Sequence, residues 1–471
     1  MIDPDVTAFL ALGSIALFVV GLKRLSKVRT ARSGNALMAA GMLLAVIITL
    51  VEIGLVDYRW IIGGLVIGGA IGVAIVLRAQ ATQMPEIVAR FNGFGGASSA
   101  LVALSLFWME VVEPTGGGTA AATLGSTSAV TLVVSVLIGA STLSGSILAE
   151  LKLRGTISGT PRVPLRAVVM GLLLVAGLLL GGIAVFVVDD PALAALLVIG
   201  LLVASLVVGV VLVLPIGGAD MPVVISLLNS LSGLAAAAAG FALVNQLLII
   251  AGTVVGAAGL ILTQIMCVAM NRSLVNVIAG SFGEAGDVEH GEYGHIVSAD
   301  AESAAMVLEA AGSVIIVPGY GLAAARAQNA AYDLARALID RGTQVRFAIH
   351  PVAGRMPGHM NVVLAEAEVP YELLFEMSEI NPEFSQTDVA IVVGANDVVN
   401  PAANDTPGSP IAGMPILEVE NARRVFVIKR SLSPGYAGIK NALFEREHTV
   451  MLFGDAKEML TELAGEVTQA R

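Results

Sequence analysis

Long apolar segments separated by short polar breaks constrain this chain more than any other feature of its sequence. A helix needs about 20 predominantly apolar residues to cross a bilayer. Residues 1 to about 280 hold nine segments near that length, and charged residues there are largely confined to the breaks and the segment ends. The predicted spans are residues 6–22, 36–54, 60–77, 87–112, 128–148, 167–188, 192–214, 223–242 and 246–270. An odd number of spans places the two termini on opposite sides of the membrane.

The basic residues of the connections predict the orientation, because cytoplasmic connections carry an excess of Lys and Arg. The connections after spans one, three, five and nine hold Lys23, Arg24, Lys27, Arg29, Arg32, Arg78, Lys152, Arg154, Arg162, Arg166 and Arg272. The alternate connections hold little beyond Arg59. We therefore expect the N-terminus outside and the C-terminal region in the cytoplasm.

Composition separates the apolar part from a second part that reads as an ordinary α/β domain. The 471 residues are 56% hydrophobic and 13% charged, and the charges are concentrated beyond residue 280. The net charge of −11 argues against nucleic acid as a partner. The single cysteine, Cys267, excludes an internal disulfide and is expected to be a packing residue. We predict a membrane domain at 1–274, a flexible acidic and glycine-containing linker at 275–305 and a cytoplasmic domain at 306–471.

A strand, a glycine turn and a helix start follow one another at residues 314–325. Four β-branched residues at 314–317 predict a buried parallel strand, and an Ala-rich helix is expected over 322–338. Between them, Gly319, Gly321 and Ala324 form the G-x-G-x-x-A pattern of a dinucleotide site, where the helix N-terminus faces a pyrophosphate. The pattern alone is weak, because a plain strand–turn–helix unit produces it too.

Further strands are predicted at 345–349, 389–393, 416–419, 425–428 and 450–453, and a short helix at 301–311. The alternation predicts a Rossmann-like, doubly wound, mostly parallel sheet, whose ligands bind beyond the carboxyl ends of the strands. Polar or glycine residues follow four of these ends, at 319–321, 350–359, 394–400 and 429–431. Each could be ordinary loop chemistry, but their shared position favours one ligand site.

The residues after two strands favour NADP(H) over NAD(H). An NAD site usually has a carboxylate after the second strand for the ribose hydroxyls, but residues 350–355 contain none. Lys429, Arg430 and Ser431 supply two cations and a hydroxyl, which suit a phosphate monoester. The alternative is a solvated basic strand end.

Polar residues inside the apolar part have two interpretations. Glu86, Arg90 and Asn92 lie at the start of span four. Asp220 lies at the start of span eight, and Asn229, nine residues on and inside the span, is expected on roughly the same side of the helix as Asp220, with Ser226 and Ser230 extending that polar face. They could be interhelical hydrogen-bonding groups, or they could form a proton or water path with Asp220 at its cytoplasmic mouth. None of the five histidines lies in a predicted span, so we expect no histidine relay within this chain, and no metal site is indicated.

Several motifs together are similar to the beta subunit of proton-translocating NAD(P) transhydrogenase, over essentially the whole chain. They are the residues at 217–230, 319–323, 352–361, 394–402, 411–415, 429–431, 435–438 and 453–457. The resemblance implies membrane helices plus an NADP(H)-binding domain in this chain. It implies an alpha partner, in one or two polypeptides, that holds NAD(H) and further helices. The expected setting is the bacterial cytoplasmic (inner) membrane, with a dimer of such heteromers in the lipid bilayer.

The resemblance also implies roles for particular residues. Asp397 is expected to link nucleotide state to protonation, and Asp220, Asn229 and Asn92 match polar membrane positions of the family. Many members carry a histidine where this chain has Asn92, so the missing base is expected on the partner. The expected NADP(H)-binding residues are Gly319, Tyr320, Gly321, Ala324, Val352, Ala353, Gly354, Arg355, Met356, Pro357, Gly358, His359, Gly394, Ala395, Asn396, Asp397, Val398, Gly413, Met414, Lys429, Arg430, Ser431, Gly435, Tyr436, Asp455 and Ala456.

The expected reaction is NADH + NADP⁺ ⇌ NAD⁺ + NADPH, coupled to inward proton movement when NADPH forms. A different class, an ion channel or transporter gated by a sensory nucleotide-binding domain, explains the fingerprint and the spans equally well. Such a channel or transporter would, however, require a selectivity loop or a broken-helix substrate site at mid-membrane, and the sequence contains no convincing one. A membrane scaffold with a degenerate nucleotide fold is a third option.

Overall fold

The structure, a computed structural model, describes residues 4–25, 28–53, 58–80, 83–113, 118–157, 161, 164–217, 220–271, 273–279, 293–356, 358–407, 409, 411–435 and 437–469. Contacts divide the chain into two compact units, 1–216 with 224–263, and 217–223 with 264–471. The predicted domain boundaries stay a prediction. Residues 280–292 of the predicted linker lie outside the described residues, and its described part includes a helix at Leu274–Ala279.

The apolar part folds into long helices at the predicted positions. They are α1 Pro4–Leu25, α2 Val28–Ile53, α3 Arg59–Leu77, α4 Met84–Phe107, the short α5 Ala120–Leu124, α6 Ser126–Leu153, α7 Arg166–Phe186, α8 Pro191–Val213, α9 Met221–Ala242 and α10 Gln246–Ala269. A π-helical turn, Trp108–Val112, continues α4. Within the described residues, eight helices are long and apolar enough to cross a membrane: α2 to α4 and α6 to α10. These eight helices confirm the polytopic class. The first predicted span, 6–22, lies within α1.

Helix α6 lies at the centre of the membrane bundle and contacts α4, α7 and α8. Small residues let it approach α4 closely, since a Cβ added to Gly96 would lie 2.7 Å from the Gly139 carbonyl oxygen. The Ser135 hydroxyl lies 3.1 Å from both the Ser99 and the Ala235 carbonyl oxygens. Lipid tails are as apolar as the helix surfaces, so no hydrophobic effect drives these helices together. Close backbone approach and serine hydrogen bonds hold them together instead.

The second unit contains a six-stranded parallel sheet. Its strands are β1 Ser313–Pro318, β2 Gln344–Ile349, β3 Leu374–Glu376, β4 Val389–Val393, β5 Arg424–Lys429 and β6 Thr449–Phe453. Their order is β3-β2-β1-β4-β5-β6, which is the Rossmann order. The chain order reverses between β1 and β4, and this switch point is where such sheets bind ligands. The remaining helices are α11 Leu274–Ala279, α12 Ala301–Glu309, α13 Tyr320–Ala324, α14 Gln328–Asp340, α15 His359–Glu366, α16 Met377–Ile380, α17 Ala402–Asp405 and α18 Ala456–Gln469.

The helix expected over 322–338 is two helices, α13 and α14, so that expectation was wrong. The chain turns at Arg326, whose φ of +52° is left-handed, and the Ala327 N–H bonds the Leu322 carbonyl. The Ala-rich composition gave no stop signal, because neither glycine nor proline marks this turn.

Two strand assignments also differ. Residues 416–419 form no strand; instead the Leu417 N–H donates to the Val398 carbonyl at 2.9 Å, which attaches this run to the turn after β4. The sequence analysis missed β3, whose three residues are too few to show a period. The pairing of Ile349 with Glu376 puts a carboxylate at the carboxyl end of the strand next to β2.

Candidate functional site

The turns after β1 and β4 pack backbone against backbone at the switch point. The Gly319 N–H donates to the Val393 carbonyl and the Gly321 N–H to the Gly394 carbonyl, each at 2.9 Å. A Cβ on Gly319 would lie 2.5 Å from backbone atoms of Ala395, and one on Gly321 would lie 2.6 Å from the Gly394 Cα. The two fingerprint glycines are therefore needed for contact between the turns, in addition to any approach by a pyrophosphate.

The loop after β2 covers the fingerprint turn. The Arg355 guanidinium carbon lies 4.5 Å from the centroid of the Tyr320 ring, and the rings of Tyr320 and His359 are 6.4 Å apart. The Arg355 N–H donates to His359 Nδ1 at 3.0 Å. Burial, and then the charge of Arg355, lowers the pKa of His359 to about 4, so its ring is neutral at pH 7. His359 Nε2 is buried with no hydrogen-bond partner among the described residues, which suits a polar ligand at this loop.

His350, which the sequence analysis did not single out individually, fixes another segment at the end of β2. Its Nε2 donates to the Pro415 carbonyl at 2.9 Å, and its Nδ1 accepts from the Val352 N–H at 3.3 Å. Burial lowers the pKa of His350 to about 4, which agrees with this neutral tautomer. The bond brings the segment containing Gly413 and the buried Met414 to the β2 side of the sheet.

Asp397 is buried in a single helical turn directly after the β4 loop. Its side chain is 2% exposed, and Oδ2 accepts from the Ala437 N–H at 3.2 Å. Gly435 packs so closely against the carboxylate that a side chain there would collide with it. The loops after β4 and β5 are thus one structure around Asp397.

Two buried asparagines that the sequence analysis did not select, Asn400 and Asn441, hold these loops together. The Asn441 amide donates at 3.0 Å to both the backbone and side-chain oxygens of Asn396, and the Asn400 amide donates to the Lys440 carbonyl at 3.1 Å. Both asparagines are fully buried. Asn400 fell inside a motif of the resemblance, whereas no spacing or periodicity in the sequence marked Asn441.

The basic strand end after β5 is partly buried. The Lys429 ammonium donates to the Ser433 carbonyl at 2.9 Å and lies 5.0 Å from the centroid of the Phe444 ring. Burial lowers the pKa of Lys429 to about 8, and the charge of Asp397 partly opposes that change. Arg430 is exposed, and the Ser431 hydroxyl pairs with that of Ser433 at 2.9 Å.

The remaining predicted site residues fall into three groups. Asp455 caps α18, because its Oδ1 accepts from the Lys457 N–H at 2.9 Å, and Ala456 is buried in the first turn of that helix. Pro357 and Tyr436 lie outside the described residues. The others lie in the segments that follow β1, β2 and β4: Ala324 at the end of α13, Val352, Ala353, Gly354, Met356 and Gly358 after β2, and Val398 after β4.

In the membrane helices, Asn92 joins α4 to α6 and α9. Its Nδ2 donates to the Ser146 hydroxyl at 3.0 Å, and its Oδ1 lies 2.8 Å from the Ser232 hydroxyl. The Ser232 oxygen is also 2.9 Å from the Asn229 carbonyl oxygen, so its single proton can be donated to only one of the two at a time.

The polar residues of α9 do not form one face. Ser226 and Ser230 are buried and donate to the Gly259 and Gly256 carbonyls of α10 at 3.4 and 2.6 Å. Asn229, in contrast, is exposed. The two serines therefore bond helix to helix, and Asp220 is a buried carboxyl directly before α9.

An ion-pair cluster links α4 to α6 near Asn92. Glu150 is buried, and both of its carboxylate oxygens accept hydrogen bonds from the Arg90 guanidinium. Arg154 pairs with Glu150 at 2.8 Å and with Glu86 at 3.3 Å. Two acids are matched by two cations, which keeps buried charge compensated.

These features define a class: a polytopic membrane protein whose soluble domain is a Rossmann-like sheet with a phosphate-suited strand end. The model of the family described as NAD(P) transhydrogenase beta subunit matches residues 7–466, and the chain belongs to this family. It is 47% identical to NAD(P) transhydrogenase subunit beta of Rhodospirillum rubrum over 452 residues, which are 95% of this chain and 96% of the relative. A second relative of the same description, from a named strain of that organism, matches to the same extent. The resemblance and the enzyme class expected from the sequence are thereby confirmed.

Proposed function

We propose that this chain binds NADP(H) at the carboxyl edge of its sheet and exchanges hydride with NAD(H) held by an alpha partner, coupled to proton translocation. The observation that carries the proposal is the half-buried Lys429 beside the buried Asp397, next to the switch point of a Rossmann-ordered sheet. Arg430 and Ser431 add a second cation and a hydroxyl. This donor set suits the 2′-phosphate that distinguishes NADP(H) from NAD(H).

The position of Lys429 indicates how the dinucleotide lies. A pyrophosphate at the β1 turn and a 2′-phosphate at the end of β5 place the adenosine half over β4 and β5. The nicotinamide half would then lie toward the β2 loop, where Tyr320, Arg355 and the neutral His359 are found. In this orientation Glu376, beside the end of β2, does not bind the adenosine ribose hydroxyls as the acid of an ordinary NAD site does.

The chemistry needs no nucleophile or metal from the protein. The bound nicotinamides supply direct hydride transfer, and the protein supplies position and electrostatic environment. The rings of His350 and His359 are neutral at pH 7 and add no positive charge to that of Arg355 in the β2 loop. The fixed contact between the β1 and β4 turns gives the site a rigid floor.

Coupling requires that nucleotide state and protonation state change each other's free energy, and this linkage is reciprocal. Asp397 is the candidate on the nucleotide side, because it is buried between the loops after β4 and β5. On the membrane side the candidates are Asp220 and the line formed by Asn92, Ser146 and Ser232. An asparagine holds water or a hydroxyl in place but does not titrate, so a base on the partner subunit is part of this proposal.

The proposed setting is the bacterial cytoplasmic membrane, with the N-terminus outside and the sheet domain in the cytoplasm. One or two alpha polypeptides supply the NAD(H) domain and further helices, and two such heteromers form a dimer. Family membership favours this enzyme over a nucleotide-gated channel.

Calorimetric titration of this chain, purified without its partner, with NADP⁺ and NAD⁺ tests the proposal, because the partner would itself bind NAD⁺. Wild type should bind NADP⁺ far more tightly, and Lys429→Ala with Arg430→Ala should lose roughly 10²- to 10³-fold in NADP⁺ affinity, because two charge-assisted contacts are removed. Lys457→Ala, an exposed cation on α18, is the control. Equal affinity of wild type for NADP⁺ and NAD⁺ would refute the proposal.

A further inference from the structure

Residues 293–299 lead into the soluble domain and are attached to the edge of its sheet. The Val297 carbonyl accepts from the Met451 N–H at 2.8 Å, and the Ala299 N–H donates to the Met451 carbonyl at 3.1 Å. At the other end of the segment, the Gly294 N–H donates to Glu445 Oε1 at 2.5 Å. In the sequence, this segment follows directly on the tract that leads from the membrane helices.

The first residue of the segment, Tyr293, lies in an aromatic and cationic stack that reaches Lys429. The rings of Tyr293 and Phe444 are stacked, with centroids 6.0 Å apart and planes 27° apart. The Lys440 ammonium is 5.0 Å from the Tyr293 centroid, and the Lys429 ammonium is 5.0 Å from the Phe444 centroid. Each of the two rings thus carries a cation, and one of those cations is the group assigned to the 2′-phosphate.

A second connection runs through hydrogen bonds to the loop after β4. The Tyr293 hydroxyl accepts from the Asn441 backbone N–H at 3.1 Å, and the buried Asn441 amide donates to both oxygens of Asn396. Asn396 immediately precedes Asp397. Burial raises the pKa of Tyr293, so the hydroxyl stays neutral at physiological pH. Tyr293 is therefore joined by two separate routes to the two loops that form the nucleotide site.

We propose that Tyr293 is a positioning residue that transmits nucleotide occupancy of the site to residues 293–299, and hence to the chain that leads to the membrane helices. This inference rests on the proposed binding of NADP(H). A phosphate that pairs with the Lys429 ammonium competes with its contacts to the Ser433 carbonyl and the Phe444 ring. Any rearrangement of Asn396 around a bound nucleotide changes the partner of Asn441. Either change alters the free energy with which Tyr293 holds the segment, which is the differential interaction that coupling requires.

Hydrogen exchange of the full complex in nanodiscs, nucleotide-free and saturated with NADP⁺, tests the proposal. Wild-type amides of residues 293–299 should exchange faster with NADP⁺ bound, because both changes remove contacts that hold Tyr293. Tyr293→Phe, which keeps the ring and removes the hydroxyl acceptor, should reduce that difference in exchange rate by about fivefold, the effect of one hydrogen bond. Tyr332→Phe, a tyrosine of α14 whose ring also carries an arginine, is the matched control and should leave the difference unchanged.

A second readout separates positioning from simple damage to the domain. In vesicles, Tyr293→Phe should keep the Kd for NADP⁺ within about twofold while it reduces the response of the transhydrogenation rate to an imposed proton gradient. Glu445→Gln, which weakens the Gly294 contact and the ion pair with Lys440 but leaves the Tyr293 hydroxyl in place, should reduce the same response. An NADP⁺-dependent exchange difference and a gradient response equal to those of wild type in Tyr293→Phe would overturn the inference. Failure of wild type to bind NADP⁺ would refute the proposed function instead.

Discussion

At Lys429, burial opposes the charge that a phosphate contact needs. Its pKa of about 8 lies below the ordinary value of 10.5, so the ammonium is present below pH 8 and is lost as the pH rises through 8. A bound phosphate favours the ammonium, so NADP⁺ binding draws a proton onto Lys429 above pH 8. We expect NADP⁺ affinity to be flat from pH 7 to 8 and then to fall by up to about tenfold per pH unit.

Titrations of the full complex between pH 7 and 9.5 measure this profile. Lys429→Arg keeps its charge throughout and should give a flat profile. In the ligand-free protein the same lowered pKa makes the stability change with pH in the opposite direction to the affinity. The unfolded state binds the proton more tightly than the folded state, so the free energy of unfolding should rise between pH 8 and 10.5. A wild-type affinity that does not change across pH 8 would contradict the role of Lys429.

Asp397→Asn removes the charge next to Lys429 and keeps an oxygen that accepts from the Ala437 N–H. We expect forward and reverse coupled turnover to fall by about tenfold or more, with the thermal unfolding midpoint little changed, because the shape of the loop is retained. Rates in membrane vesicles that contain the partner measure this, with the exposed Asp333→Asn as control. Unchanged rates in both directions would remove Asp397 from the coupling.

At the scale of elements, the β1 and β4 turns leave no room for a side chain at Gly321. Gly321→Ala would place a Cβ 2.6 Å from the Gly394 Cα, and backbone cannot move aside as a flexible side chain can. We expect a loss of about 1–3 kcal/mol in the free energy of unfolding and weaker NADP⁺ binding. Gly465→Ala, in α18 with nothing within 4 Å, should instead stabilise by about 0.5–1 kcal/mol. Denaturant unfolding compares the two, and equal stability would show that the turns separate freely.

Elements with a strong periodic or apolar signal agreed with the sequence, and those decided by a single contact did not. Strands β1, β2, β4, β5 and β6 are short buried runs between turn residues, which the sequence shows directly. Residues 416–419 have the same composition, yet one bond from Leu417 to the Val398 carbonyl attaches them to a turn instead of a strand. The left-handed turn at Arg326 divides the expected helix because tertiary packing overrides the helical propensity of alanine.

At the scale of the molecule, the proposed coupling requires the membrane helices and the sheet domain to share one equilibrium, and Asn92 tests the membrane half. Asn92→Ala removes the contacts to Ser146 and Ser232. We expect about tenfold slower proton translocation, because a broken hydrogen-bonded line no longer orders water between helices, while NADP⁺ affinity is retained. Proton uptake by vesicles with a pH-sensitive dye measures this, and Ser105→Ala, an exposed hydroxyl of the same helix, is the control. Equal uptake by wild type and Asn92→Ala would exclude this path.

The sequence by itself determined the membrane helices, the parallel sheet and the basic strand end, because each depends on residues close together in the chain and on a period or composition. Only the tertiary structure decided which side chains meet. Asn441 bonds Asn396 across 45 positions, and its N–H bonds Tyr293 across 148. Such pairings follow from how loops fold over a completed sheet, and no local pattern encodes them. The same holds for Ser226 and Ser230, whose hydroxyls donate to carbonyl oxygens of α10. It also holds for Gly319 and Gly321, whose lack of a side chain is required by the neighbouring β4 turn as well as by a ligand.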